Sequence, residues 1–216
     1  AKTAKLGFAV FASWRLSQSL CAYRVGGTRL AYNVPMTDPA VAMRPLRRED
    51  IPLIWTIDRA EVIDGLYALV DGALELRPEH FEAHGWPPGE AELYTPILLD
   101  CFDHEGWFWG AFDGEALVGV VVLEGRFIGP GRDMLQMKFL HVSCGARGRG
   151  LGVALFELAR AEARARGAQK MYISATPSRH TIDFYLRRGC RVTAEPDPEL
   201  FALEPEDIHL ECPVAA

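Results

Sequence analysis

Arg147-Gly148-Arg149-Gly150-Leu151-Gly152 is the stretch of this sequence best suited to chemistry, because glycines and cations stand together directly before a helical repeat. The first backbone N–H groups of a helix have no partner within it, and its dipole favours negative charge there. Gly150 and Gly152 carry no Cβ, so an anion as large as a diphosphate has close access to the backbone. The dipole supplies only about 0.3–1 kcal/mol. Directed N–H bonds to an anion, roughly 1.5–3 kcal/mol each, supply more. Contacts are expected from the amides between Gly148 and Val153, with Arg147 and Arg149 adding charge. A P-loop needs Lys where Leu151 stands, and the Rossmann pattern GxGxxG is not matched. On spacing alone, a structural turn explains these glycines as well as an anion site does.

Such a turn needs a strand before it and a helix after it. Met134 to Ser143 reads as the strand, with Met134, Gln136, Lys138, Leu140 and Val142 on one face. Leu151, Leu155, Leu158 and Ala161 repeat at helical spacing, and Gly167 stops that helix. Upstream, Trp107 to Phe112 and Leu117 to Leu123 flank Asp113-Gly114, a hairpin signal. Met43 to Leu46 reads as a short strand, and a helical pattern follows Asp50 through Ile51, Ile54, Trp55 and Asp58. Glu79 to Ala83 and Glu90 to Cys101 read as helices around the breaker Gly85-Trp86-Pro87-Pro88-Gly89. Downstream come a strand over Met171 to Ala175, a helix capped by Ser178 and stopped by Gly189, and a last strand over Ile208 to Cys212. This order predicts a mixed α/β layer fold.

Two motifs now stand at a fixed separation. Arg147-x-x-Gly150-x-Gly152 after Phe139-Leu140-His141-Val142 resembles the Q/R-x-x-G-x-G/A motif of the GNAT superfamily of N-acetyltransferases. Ser178 to Cys190 resembles that family's N-x-x-A-x-x-F-Y-x-x-x-G-F segment: Phe184, Tyr185 and Gly189 match, while Ser178, Thr181 and Cys190 depart from it. The resemblance spans roughly residues 43–212. It implies a central, largely antiparallel twisted sheet flanked by helices and splayed between its fourth and fifth strands. It also implies acetyl-CoA as cosubstrate, with Leu140, His141 and Val142 along the pantetheine arm and Ser178 at a coenzyme contact. Tyr185 matches the tyrosine that assists the departing thiolate. A phenol pKa near 10 against roughly 8.5 for a thiol makes full proton transfer uphill by about 2 kcal/mol, so hydrogen bonding to the forming thiolate is the expected role.

A protonated amine with pKa near 10.4 costs about 4–5 kcal/mol to deprotonate at pH 7, so a base or a water chain is needed. Relatives often carry Glu on the strand before Ser178, but Ile173 stands here. His141 has the opposite parity to Leu140 and Val142 and reads as a structural histidine. Glu61 and Glu90 could attract a cationic acceptor or relay a proton, or be solvated surface carboxylates. His80 and His84 are four apart, but they do not form HExxH and no third ligand is evident, so no metal is expected.

Composition narrows the classes. The chain has 216 residues with a net charge of −6, which opposes non-specific nucleic-acid binding. No stretch is long and apolar enough to span a membrane. Five cysteines without a CxxC pair suggest reduced thiols, hence a cytoplasmic protein. Arg187, Arg188 and Arg191 read as a solvated basic end. Residues 1–42 read as an extension and 43–216 as the acetyltransferase domain. The expected reaction is direct acetyl transfer to the primary amine of a small molecule. A protein or peptide amine is the enzymatic alternative, and a non-catalytic acyl-CoA-binding sensor is the alternative from another class. A homodimer is compatible with all three.

Overall fold

The computed structural model describes residues 40–215 and, as backbone alone, a hairpin of β1 (Leu20–Val25) and β2 (Thr28–Asn33). The rest of the expected extension lies outside the described residues. The expected domain start at Met43 falls inside β3 (Val41–Pro45), whose first residue is already buried in the core.

A seven-stranded sheet carries the site. Its members in chain order are β3, β6 (Trp107–Asp113), β7 (Ala116–Ile128), β8 (Met134–Val142), β9 (Lys170–Ala175), β10 (Arg191–Val192) and β11 (Ile208–Pro213). In space the order is β10-β11-β9-β8-β7-β6-β3, antiparallel throughout except between β8 and β9. The expected largely antiparallel sheet flanked by helices is the one observed. Its fourth and fifth strands, β8 and β9, pair only from Met134–Gln136 to Lys170–Tyr172 and then part.

Both faces of the sheet are covered. Trp107, Trp109 and Ala111 face one core with Leu155, Phe156, Leu158 and Ala159 of α2 (Leu151–Ala165) and Ile182 and Tyr185 of α3 (Arg179–Leu186). Phe108, Phe112, Val120, Val122 and Phe139 face the other, under α1 (Glu90–Asp103) and a 3-10 helix over Arg48–Thr56. That helix, expected after Asp50, thus takes the tighter form. Pro52 lies inside it, and Asp50 accepts hydrogen bonds from Arg44 Nη1 (2.7 Å) and the Arg47 amide (3.0 Å) at its start.

Two expectations fail here. Glu79 to Ala83 is not helical but ends β5 (Ala73–Ala83), which pairs with β4 (Glu61–Val70) as a separate hairpin. Asp71 and Gly72 both take positive φ (48° and 79°), the type I′ geometry that matches strand twist. The second failure is in β8. Between Val122/Phe139 and Leu123/Met137 the register slips by one residue, Lys138 being the extra one. Leu135 and Met137 therefore share the α2 side with Leu140 and Val142, while Phe139 turns to the α1 side. A bulge of this kind re-aims every side chain beyond it, so Met134 to Val142 do not keep a single alternating face. A further one-residue shift lies between Ala111/Gly119 and Phe112/Leu117, with Val118 the extra residue, just before the turn where Asp113 pairs with Ala116 and Gly114-Glu115 form the loop.

Candidate active site

Beyond Gln136, β8 and β9 diverge, and the gap runs to the start of α2. Gly148 (φ 75°) and Gly150 (φ 80°) occupy the left-handed region, which costs an L-residue roughly 1–2 kcal/mol. Gly150 is the N-cap of α2 and, having no side chain, leaves the cap open. The first intrahelical bond is from the Ala154 amide to the Gly150 carbonyl (3.0 Å), so the amides of Leu151, Gly152 and Val153 precede the ladder. Gly152 lines the cavity beside them. A Cβ there would meet Phe184 at an ordinary contact distance of 3.5 Å, so the packing of α2 against α3 leaves room for one.

These residues open on a cavity of about 370 Å³, lined also by Leu140, His141, Val142, Gly148, Tyr185 and Glu61. The structure thus brings most of the expected site together. Arg147 lines it too, but most of its guanidinium is engaged: Nε donates to the Val142 carbonyl (3.1 Å), Nη1 to the Ala60 carbonyl (3.0 Å), and Glu61 Oε2 lies 4.0 Å away. The Cys144 amide donates to the Asp58 carbonyl (2.8 Å). The segment between the 3-10 helix and β4 therefore holds the glycine turn in place. Arg149 lies outside the cavity lining, 3.8 Å from Asp113.

Ser178 is also outside the lining. It is 2% exposed, and its hydroxyl is engaged with Thr181 Oγ1 (2.9 Å) and the Thr181 amide (3.4 Å), with Glu61 Oε1 at 3.5 Å. β4 crosses above it: the Tyr67 amide donates to the Pro177 carbonyl (2.8 Å) and Tyr67 Oη to Asp183 (2.8 Å). The first turn of α3 reaches the cavity through His180 and Thr181 instead.

Tyr185 stands on the α2–α3 side, 6% exposed. No described residue takes a hydrogen bond from its hydroxyl. Burial pushes its phenol pKa up, with Arg188 opposing. It therefore remains a hydrogen-bond donor across the neutral range. Arg188 was expected to be solvated with Arg187 and Arg191. Instead it lies over the Phe184 ring, 3.4 Å from its centroid, lines the cavity, and leaves Nε buried without a partner among the described residues. Arg187 and Arg191 are exposed as expected.

On the α1 side the bulge presents His141 to an aromatic wall. Its ring meets Trp86 (centroids 4.9 Å, 73°) and Phe139 (5.1 Å, 82°), edge to face. Burial first, and then Arg59 and Arg147, hold its pKa well below the ordinary histidine value. Arg59 lies over Trp86 (4.4 Å) and pairs with Glu90 Oε1 (3.2 Å). Burial raises the Glu90 pKa, and Arg59 partly offsets this. Glu90 does not line the cavity. Near it, Tyr94 Oη donates to Glu204 (3.2 Å), and burial, with Glu204, raises Asp207 to about 6. Ile173, where the resemblance would have a carboxylate, is 1% exposed in the core. His80 and His84 fall on and just beyond β5, and no cluster of three metal-binding side chains occurs among the described residues.

A family model described as the acetyltransferase (GNAT) family matches residues 71–190, more than half of the chain. The chain belongs to this family of acyl-CoA-dependent acetyltransferases, whose acetyl donor is acetyl-CoA. No curated protein sequence matches it. Among solved structures it resembles nourseothricin acetyltransferase (TM-score 0.62, 21% identity, 81% of this chain and 99% of that one). It also resembles PaiA N-acetyltransferase from Thermoplasma acidophilum in complex with coenzyme A (TM-score 0.54, 15% identity, 80% and 98%). A third is the ribosomal-protein-S18-alanine N-acetyltransferase from Escherichia coli (TM-score 0.51, 14% identity, 82% and 95%). No described helix is long and apolar enough to cross a membrane.

Proposed function

We propose that this enzyme moves the acetyl group of acetyl-CoA directly to a primary amine of a small molecule. The observation that carries the reading is the single cavity joining the unladdered amides of α2 to the Tyr185 hydroxyl and the free edge of β8. In this reading the amides of Leu151, Gly152 and Val153 hold the diphosphate, Arg188 adds a cation, and the pantetheine arm runs along Leu140, His141 and Val142. Tyr185 Oη then donates to the sulfur as the C–S bond breaks, stabilising charge that appears only in the transition state.

The acceptor approaches from the α1 side. There Arg59 lies over Trp86 and pairs with Glu90, and Glu204 and Asp207 add acidic groups that would attract a cationic acceptor. Cys144 is free and exposed, which fits the reducing cytoplasm.

A sensor reading has one observation in its favour, the apolar Ile173 in place of a carboxylate. The deciding experiment follows coenzyme A release with spermidine, L-lysine, tyramine and an alanine-terminated peptide, alongside Tyr185→Phe. Transfer to one of the small amines, slowed at least tenfold in Tyr185→Phe with acetyl-CoA affinity within threefold of wild type, supports the proposal. Binding without transfer to any of them supports the sensor, and transfer to the peptide alone supports a protein substrate.

A further inference from the structure

Direct transfer requires a group that takes a proton from the acceptor ammonium. We propose that His141 is this base, working from the α1 side of the sheet opening while Tyr185 serves the sulfur from the α2–α3 side. The inference rests on the reaction proposed above.

The geometry sets His141 apart from the other titratable groups of the cavity. Glu61 already faces Ser178 (3.5 Å) and Arg147 (4.0 Å). Glu90 is paired with Arg59 and lies outside the cavity lining. Tyr185 carries its proton throughout. His180 lines the cavity but is exposed on the first turn of α3. His141 lines the same cavity, is half-buried, and no described residue takes or gives a hydrogen bond at its ring nitrogens. Its orientation follows from the extra residue at Lys138, which turns Phe139 to the α1 face and puts Leu140 and Val142 on the other. The edge-to-face contacts with Trp86 and Phe139 then hold the ring in the position the acceptor must pass.

Charge leaves the ring without a proton at pH 7 and also weakens it as a base, so the transfer from the ammonium is uphill and is drawn on by the attack that follows. Arg59, from the segment before β4, and Arg147, from the glycine turn, act on the His141 ring, while Glu61, His180 and Tyr185 line the same cavity. Burial and the two arginines keep the ring neutral at pH 7. A neutral imidazole that has no protein partner is ready to accept a proton.

The step balances without a further reactant. The acceptor enters as R–NH3+, and His141 takes one proton to give R–NH2. The nitrogen lone pair forms the C–N bond to the acetyl carbon, the C–S bond breaks, and its electron pair leaves on sulfur. The second nitrogen proton neutralises the thiolate, and the imidazolium releases its proton to solvent. The sum is R–NH3+ plus acetyl-CoA giving amide, coenzyme A thiol and H+.

The test uses the full chain, acetyl-CoA, and the fastest of the small amines named above. His141→Gln is expected to lower kcat about 100- to 1000-fold with acetyl-CoA affinity within threefold of wild type. His141→Ala is expected to regain rate on addition of imidazole. Wild-type kcat should fall on the acid side with one ionisation that His141→Gln lacks. An NMR titration of the wild-type chain adds a readout that needs no variant to fold, and its expected result is a His141 ring neutral at pH 7. A kcat for His141→Gln within threefold of wild type, the loss falling on His180→Gln instead, or a His141 ring protonated at pH 7 would overturn the assignment and leave the proposed reaction standing. Wild-type protein that binds acetyl-CoA and acetylates nothing overturns both.

Discussion

The two glycines at the head of α2 should respond to alanine in opposite directions. Gly150 sits at φ 80° and ψ −1°, where a Cβ costs roughly 1–2 kcal/mol. In a chain of this size each kcal/mol moves Tm by about 2–4 °C, so Gly150→Ala should melt roughly 2–8 °C lower. Gly152 lies inside the helix without positive φ, and the added Cβ would touch Phe184 at an ordinary 3.5 Å. Alanine is better than glycine within a helix by about 1 kcal/mol, so Gly152→Ala should melt a few degrees higher. Acetyl-CoA binding separates them again. A Gly150 that leaves the left-handed region turns the amides of Leu151, Gly152 and Val153. Losing one directed N–H bond to an anion, at roughly 1.5–3 kcal/mol, weakens binding about 10- to 150-fold. Gly152→Ala should stay within threefold. Scanning calorimetry of the free chain and titration calorimetry with acetyl-CoA measure both. If Gly150→Ala binds as tightly as wild type, the anion is not held at this helix start; if both variants shift Tm in the same direction, the backbone argument fails.

Arg147 bridges Val142, Ala60 and Glu61 with a planar fork that an ammonium does not reproduce. Arg147→Lys should therefore lose most of the stability that Arg147→Ala loses, read as the urea midpoint; a lysine variant indistinguishable from wild type would refute the clamp. Lys138 and Glu124 pair at 3.3 Å with side chains 13% and 8% exposed. Lys138→Met strands the carboxylate at a cost of about 3–5 kcal/mol, and adding Glu124→Leu should restore most of it in equilibrium unfolding. Asp207 titrates at about 6 in the fold against an ordinary 3.8, because burial and Glu204 oppose its charge. The native state then holds the proton more tightly than the unfolded one, so this group's contribution falls as pH rises from about 4 to 6. Asp207→Asn should gain in Tm over wild type across that window and stay level above it; a difference independent of pH would refute the assignment.

The sequence was most informative where structure is decided by neighbours along the chain. Gly148 and Gly150 lie in a local turn, and Ser178 caps α3 through the Thr181 amide three residues on. The strands β6 and β7 are buried on both faces and read as such from composition. β5 was not legible because Glu75, Arg77, Glu79 and His80 leave it exposed, with no alternation for a period-two pattern to catch. The one available signal was Asp71-Gly72, the same dipeptide that betrayed the β6–β7 hairpin.

The functional side chains divide along the same line. The Phe184-Tyr185 pair could be recognised in sequence, but the tasks of Arg147, Arg188 and His141 depend on partners or on an insertion that no short window contains. Arg147 is fixed by Ala60, 87 positions away. His141 faces the α1 side only because one extra residue in β8 inverts the strand beyond Lys138, and Trp86 then receives its ring. A reading by strict alternation separates His141 correctly from Leu140 and Val142, but it puts those two on the face of Gln136 and away from Met137. The bulge therefore does two things at once. It returns Leu140 and Val142 to the α2 core beside Tyr185, and it aims the next odd-numbered side chain into the opening on the opposite face. One inserted residue thus sends neighbouring side chains of β8 to opposite faces of the opening, the two faces that the proposed reaction gives to donor and acceptor.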